Sequence, residues 1–425
     1  MFALYVIAVT LAVAIILLAF AQLWLVNRYC RIMAQNRTAS ERHDPEHEVF
    51  EPAAAVILCL RGNDPTLYSC LKGLAQQEYS EFQLYAVTDN ENDPSIATLR
   101  QVSPEFEREP LLVTMPQIAK NRTLKCSALL TAFEAIESDD FQPAVVALID
   151  SDVNSDPFWL RDLIEPFRDS KVGATTGNRW FEPISDEFGT RMRQVWNAAA
   201  VVQMHYFKIA WGGSLAFRAS LIQEEKFLTP LRTGFCEDTG INQVLSKLNL
   251  DLVRVPGLIM SSSESIALKK CVSFITRQNL TARLNHPAWP FVFTHGLSIV
   301  FLNVATLIIF VFTFGTGFQF VCMLPLLCLI GFQVLNLRLL GRISTANRFA
   351  LQARDQPVHE EFSIPRYLIS VLLIQFLHAY ALLAASFKQL FWWRQIEYRV
   401  KSGNNVSMLA YQPFTPPPTE DLSIE

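Results

Sequence analysis

Four stretches of this 425-residue chain are apolar for about 20 residues each, long enough to cross roughly 30 Å of hydrocarbon as helices, and they sit only at its two ends. Leu4–Val26 carries no charge, and Phe291–Thr313, Phe318–Leu337 and Tyr367–Phe387 follow in the C-terminal third. The charges concentrate between Asn27 and Asn285. With 51% apolar and 18% charged residues, the chain is too apolar for an ordinary soluble enzyme and too charged for a pure membrane bundle. The remaining length suits one soluble domain of about 200–250 residues between membrane segments.

The first run lacks a basic leader and a small-residue cleavage site, so it reads as an anchor rather than a signal peptide. Arg28, Arg31, Arg37 and Arg42 follow it, which puts the next segment on the cytoplasmic side and the N-terminus outside. Phe314-Gly-Thr-Gly317 joins the next two runs as a tight hairpin, and Arg338, Arg342, Arg348, Arg354 and Arg366 again mark the cytoplasmic side. If Tyr367–Phe387 also crosses, the tail from Phe391 ends outside. Gln375 and His378 within it point instead to packing against protein or to a re-entrant path, so its topology stays open. The expected organisation is an anchor (1–27), a basic linker (28–50), a catalytic domain (51–285), a membrane region (286–390) and a tail (391–425).

The eight cysteines form no CxxC pair and no Cys/His cluster, which argues against a structural zinc site and for buried apolar roles. A net charge of −4 without a basic, aromatic-rich stripe leaves nucleic acid binding unsupported.

From Pro52 short apolar runs alternate with helical patterns, the mark of an α/β domain with a mostly parallel sheet. Ala53–Leu60, Phe82–Val87 and Ala144–Ile149 read as strands, and Leu67–Gln77 and Lys120–Ile136 as helices. Val195–Ala216 fits either an interfacial segment, for its Trp211 and Lys208, or a core helix followed by a sheet element at Gly213–Phe217. In such sheets ligands bind beyond the carboxyl ends of the strands. Asp89 lies at one of those ends and Asp150-Ser-Asp152 at another.

Two carboxylates two residues apart, just past a buried strand, can aim at one Mn²⁺ or Mg²⁺ whose shell is completed by phosphate oxygens and water. The metal would neutralise charge on a leaving diphosphate. The plainer alternative is that Asp150 caps a turn while Asp156-Pro157 opens a helix. Asp89 is either a nucleotide contact or a turn residue, and Asp93-Pro94 starts a helix. Glu237-Asp238 heads the helical stretch Ile241–Leu248, where acidic residues are favoured anyway, and could instead supply a general base.

With these residues assembled, the chain resembles the family-2, GT-A-fold glycosyltransferases, and among them the ceramide glucosyltransferase-like branch. The order agrees: an anchor, Asp89, Asp150-Ser-Asp152, Glu237-Asp238, an Arg-bearing helix, then membrane segments. Leu60-Arg-Gly-Asn-Asp-Pro-Thr-Leu67 resembles that branch's Lys-Gly-x-Asp-Pro-x-Leu. Asp89-Asn-Glu-Asn-Asp-Pro94 resembles its Asp-x-x-Asp-Pro loop, and Trp393-Arg394-Gln-Ile-Glu-Tyr398-Arg399 its Trp-Arg-x-x-x-Tyr-Arg signature. The resemblance covers about residues 50–400.

It implies that Asp89 binds the uridine side of a nucleotide-sugar donor, with Lys125 and Arg394 near the nucleotide. Asp150 and Asp152 would take the diphosphate and its Mn²⁺ or Mg²⁺. Asp238 would be the base, and Arg277 would pair with the departing diphosphate. The family's Q/R-x-x-R-W motif falls at Phe274-Ile-Thr-Arg277-Gln278, where the tryptophan is replaced. That departure weakens a processive polysaccharide synthase and favours transfer of one sugar to a lipid hydroxyl (ceramide-like, diacylglycerol, hopanoid or polyprenyl) at the bilayer. A third alternative, a catalytically inactive membrane scaffold, has no use for several carboxylates held together.

Overall fold

The computed structural model describes residues 2–35, 50–356, 358 and 363–416. Arg37, Arg42 and most of the linker lie outside them. The strands are β1 (Ala54–Leu60), β2 (Phe82–Thr88), β3 (Leu111–Thr114), β4 (Val145–Ile149), β5 (Val172–Glu182), β6 (Ser214–Arg218) and β7 (Asp251–Ser263). They form one seven-stranded sheet in the order β3-β2-β1-β4-β6-β5-β7. All pairings are parallel except those of β6, which runs antiparallel to β4 and β5.

The continuous apolar runs have a physical cause: the sheet is covered on both faces. Alternate residues of β1 go to opposite cores. Ala55 and Ile57 join a cluster with Leu129 and Phe133 of helix Leu124–Ser138, while Val56 and Leu58 join one with Leu71 of helix Leu67–Ala75 and Trp159. Register aligns the strand ends: Leu60 lies opposite Thr88, and Leu58 opposite Ile149. Arg61, Asp89 and Asp150 therefore emerge along one edge.

The stretch Val195–Ala216 folds as the end of helix Phe188–Phe207 followed by β6. Asp156 and Asp93 stand just before the helices Trp159–Ile164 and Ser95–Val102, accepting from the backbone N–H of Phe158 (3.0 Å) and Ser95 (2.9 Å).

Among the described residues, four helices are long and apolar enough to cross a membrane: Phe2–Met33, Trp289–Thr313, Gln319–Gln352 and Ile364–Phe387. Leu11, Ile15, Leu302, Leu329 and Phe332 pack three of them together. The third is 34 residues long and runs well past Leu337. Its arginine-bearing end packs on the domain of the seven-stranded sheet, where Arg354 is buried against Asp156 and Asp162 (both 2.7 Å).

After the last of these helices the chain returns to the sheet. Strands β8 (Leu390–Trp393), β9 (Ile396–Ser402) and β10 (Asn405–Ala410) form an antiparallel sheet. Phe391, Tyr398, Val400 and Met408 share one core with Ile57 and Val87. The Trp-Arg…Tyr-Arg segment is thus built into the domain that carries the acidic motifs.

Candidate active site

A cavity of about 660 Å³ opens at the carboxyl edge of the sheet. Lys125, Asp150, Asp152, Asp238, Arg277 and Arg394 all line it, so six of the seven residues singled out from sequence converge. Asp89 does not line it. Its side chain is fully buried behind Arg61, which does, and the two are paired. Asp89 Oδ1 has no hydrogen-bond partner. Burial raises the Asp89 pKa against the opposing pull of Arg61.

Lys125 stands in the first turn of helix Leu124–Ser138, whose N-cap is Thr123. Its Nζ lies 2.8 Å from Asp150 Oδ1 and 2.7 Å from Glu237 Oε1. Burial opposes the ammonium charge, but the two carboxylates outweigh it and hold the pKa well above the ordinary lysine range. Burial likewise opposes the Asp150 carboxylate, and Lys125 with Arg179 more than offsets it, leaving its pKa low. For Glu237 the balance falls the other way: burial wins over Lys125 and raises the pKa.

Sequence reasoning missed Arg179, on β5. Its guanidinium pairs with Asp152, lies 3.6 Å from Asp150 and sits over the Trp211 ring at 5.1 Å. The available signal was a lone cation within the largely buried strand Val172–Glu182. Asp64 belongs to the Leu60–Leu67 motif, which gave it no role. It accepts from Ser151 Oγ and from Arg394 Nη2 (2.8 Å), tying the Asp-x-Asp turn to the C-terminal sheet. Arg394 and Gln395 both have positive φ (47° and 64°) and form the two-residue link between β8 and β9. Such hairpin links need φ > 0 at both positions.

Asp238 Oδ2 accepts from the Gly212 N–H (2.9 Å) and Oδ1 from the Thr239 hydroxyl (2.9 Å). A Cβ on either glycine beneath these acids would displace them. A Cβ on Gly212 would stand 2.0 Å from Glu237 Oε1, and one on Gly213 would stand 2.6 Å from Asp150 Oδ2. Arg277 lies against Phe274, and burial, then Arg179 and Arg394, push its pKa down to about 10.

A model of glycosyl transferase family 21 matches residues 6–406, nearly the whole chain and every residue of this cavity. The chain belongs to that family. The resemblance read from the Asp, Arg and Trp-Arg motifs therefore holds, as does the GT-A-type fold with apolar helices at both ends. A family-21 protein of this kind is a glycosyltransferase using a nucleotide-sugar. No curated protein matches by sequence.

Among solved structures, the chain is similar to the mannosyltransferase PcManGT from Pyrobaculum calidifontis, in complex with GDP-Man and Mn²⁺. The identity is 14% and the TM-score 0.46, covering 90% of this chain and 97% of that one. It is also similar to glucosyl-3-phosphoglycerate synthase from Mycobacterium tuberculosis, in complex with Mn²⁺, UDP and glucosyl-3-phosphoglycerate. There the identity is 14% and the TM-score 0.36, covering 53% and 78%.

Among the described residues, no three His, Cys, Asp or Glu side chains converge to hold a metal ion. The protein offers two carboxylates, Asp150 and Asp152, side by side at the cavity wall. That donor set fits Mn²⁺ or Mg²⁺ whose remaining ligands are phosphate oxygens and water. Arg179 pairs with Asp152 and Lys125 with Asp150, and Arg179 would have to yield to the ion.

Proposed function

We propose that this family-21 enzyme moves a sugar from a nucleotide-sugar, a UDP-hexose, to a hydroxyl of a membrane lipid (ceramide-like, diacylglycerol, hopanoid or polyprenyl). The observation that carries the reading is one cavity whose floor is the carboxylate set at the sheet edge and whose wall includes Lys388, Leu390 and Trp392, directly after an apolar helix. A lipid hydroxyl can reach such a wall from the bilayer.

In this reading Asp150 and Asp152 would hold Mn²⁺ or Mg²⁺, and the ion would supply Lewis-acid neutralisation of the leaving diphosphate. Arg277, which makes no ion pair among the described residues, would face the diphosphate as a planar donor. Arg394 and Lys125 would border the nucleotide, and Asp89, buried behind Arg61, would act on its base side by holding that cavity-lining arginine. Asp238 would take the proton of the acceptor hydroxyl as the new bond forms. Its two partners are neutral, whereas Glu237 is held by Lys125, which supports Asp238 over its neighbour.

The catalytic unit (51–285, completed by the tail sheet) would face the cytoplasm, beside Arg28 and Arg31. The test is an incubation of the purified protein with UDP- and GDP-sugars and a total lipid extract, read by mass spectrometry. A sugar-modified lipid that appears only with UDP-hexose and metal supports the reading, and sugar found only on soluble or polymeric products overturns it.

A further inference from the structure

Helix Ile364–Phe387 has the composition of a membrane span, yet both of its ends are tied to the same domain. Just before it, Arg354 is buried between Asp156 and Asp162 of the catalytic domain. At its first turn Arg366 pairs with Asp186 (2.5 Å), and Tyr367 Oη donates to Gln194. At its last turn Arg283 donates to the carbonyls of Ser386 (2.6 Å) and Lys388 (3.0 Å). Three residues later Phe391 packs on Phe235, with ring centroids 4.9 Å apart. A helix of 24 residues separates those attachment points by about 36 Å.

Between its ends the helix lies along the domain. Trp196 Nε1 donates to His378 Nδ1 (3.2 Å), and Ala381 packs with Met192, Cys271 and Ile275. The two helices that receive it, Phe188–Phe207 and Leu268–Asn285, carry Arg191, Arg193, Lys269, Lys270, Arg277 and Arg283. If Ile364–Phe387 crossed the bilayer, these cationic helices would have to be submerged with it, where hydrocarbon strongly disfavours their charges.

The opposite face is apolar and exposed. Leu368, Leu372, Phe376, Tyr380, Leu383 and Phe387 recur every three or four residues, forming one stripe along the helix. The helix meets the membrane hairpin where Asn303 Nδ2 donates to Gln375 Oε1 (2.9 Å) and Gln375 Nε2 donates to Gln333 Oε1 (2.7 Å). From that level to the hairpin tip the hairpin exposes Val304, Leu307, Val311, Leu324, Leu327 and Ile330. The stripe is therefore continuous with the lipid-facing surface but sits at its domain-side margin.

We propose that Ile364–Phe387 lies in the plane of the domain-side leaflet, its exposed stripe in lipid, and that only the other three long helices cross. Three crossings put the tail on the domain's side, as the Arg394–Asp64 contact requires, whereas four would put it on the far side. The in-plane helix ends at Lys388, whose neighbours Leu390 and Trp392 line the cavity, so the cavity faces the headgroup layer.

The test uses the full chain in sealed vesicles of one orientation, with single cysteines introduced at Glu107, Gln352, Asn404 and Gly317. An impermeant maleimide is scored against the parent protein, before and after permeabilisation. Glu107, Gln352 and Asn404 should react from one side and Gly317 from the other. Asn404 reacting from the side opposite Gln352 would mean that the helix crosses and the proposal fails. Nitroxides placed at Phe376 and at Leu383 give a second readout. An in-plane helix puts them at equal depth, whereas a span separates them by about 10 Å. Neither measurement depends on which lipid or sugar the enzyme uses.

Discussion

The guanidinium of Arg179 is paired with the carboxylate of Asp152, the second acid of Asp150-Ser151-Asp152, and rests on the face of Trp211. In this state a built-in cation occupies the ground that a divalent metal would take. A metal held there would compete for the same oxygens, so the strength of the ion pair would enter its apparent affinity.

Arg179→Gln should therefore lower the Mn²⁺ concentration needed for half-maximal UDP-sugar binding. The pair is largely buried, and an interaction of about 1 kcal/mol corresponds to roughly a fivefold shift. Asp152→Asn should do the opposite and abolish metal-dependent donor binding while leaving the fold intact. Titration of binding against Mn²⁺ reads both, and unchanged metal dependence in Asp152→Asn would remove the metal assignment.

The close approach at Gly212 gives a second expectation. Its N–H anchors Asp238, and the missing Cβ leaves room for Glu237. Gly212→Ala should separate Glu237 from Lys125 and tilt Asp238, lowering turnover by about tenfold to a hundredfold, since small misplacements of reacting groups carry such penalties. Gly317→Ala, whose Cβ meets nothing within 4 Å, should be silent. Equal effects of the two would show that the packing beneath the acids is irrelevant to rate.

Arg277 is largely buried among cations, with no carboxylate partner among the described residues, which depresses its pKa to about 10. A base whose folded pKa is below its unfolded value costs stability at every pH below about 10, and the cost fades as pH rises toward the unfolded value. Arg277→Met should thus raise the melting temperature of the ligand-free protein near neutral pH by a few degrees, from about 1–2 kcal/mol. The same change should weaken donor binding. If the variant melts lower, the guanidinium has a partner that stabilises it, and its role as a waiting diphosphate donor loses its basis.

Much of this was legible in the chain because it depends on local pattern. Strands β1 and β4 show as unbroken apolar runs since both faces of the sheet are covered, and the Asp-x-Asp follows directly where β4 stops. The partners of those acids were not legible. Arg179 reaches Asp152 only because β5 joins the sheet next to the antiparallel β6, a pairing with no local signature. Arg394 likewise meets Asp64 across 330 positions, through a sheet that reads locally as a tail. The ends of helix Ile364–Phe387 are a like case: hydropathy reports what a helix can enter, whereas its ends are held by Asp186, Gln194 and Arg283.

The assignment of the base can be decided between adjacent acids. A lipid hydroxyl is a weak nucleophile near neutral pH, so displacement at the anomeric carbon needs a carboxylate to accept its proton, help that is typically about 10²–10⁴-fold in rate. Glu237 is poorly suited: it is almost fully buried, its pKa is raised by burial, and Lys125 holds it at 2.7 Å. Asp238 reaches the cavity with only neutral donors on its oxygens, so it can exchange one for the acceptor hydroxyl without breaking an ion pair. Asp238→Asn keeps the shape and loses the basicity, and should lower turnover at least about a hundredfold with donor binding nearly unchanged. Glu237→Gln should lower turnover less and act mainly through a loosened Lys125 and Asp150, seen as weaker donor binding. Paired measurement of turnover and UDP-sugar affinity separates the two. If Glu237→Gln is the slower enzyme at unchanged affinity, or if Asp238→Asn loses donor binding, the proton goes to Glu237 or elsewhere and Asp238 is a binding residue.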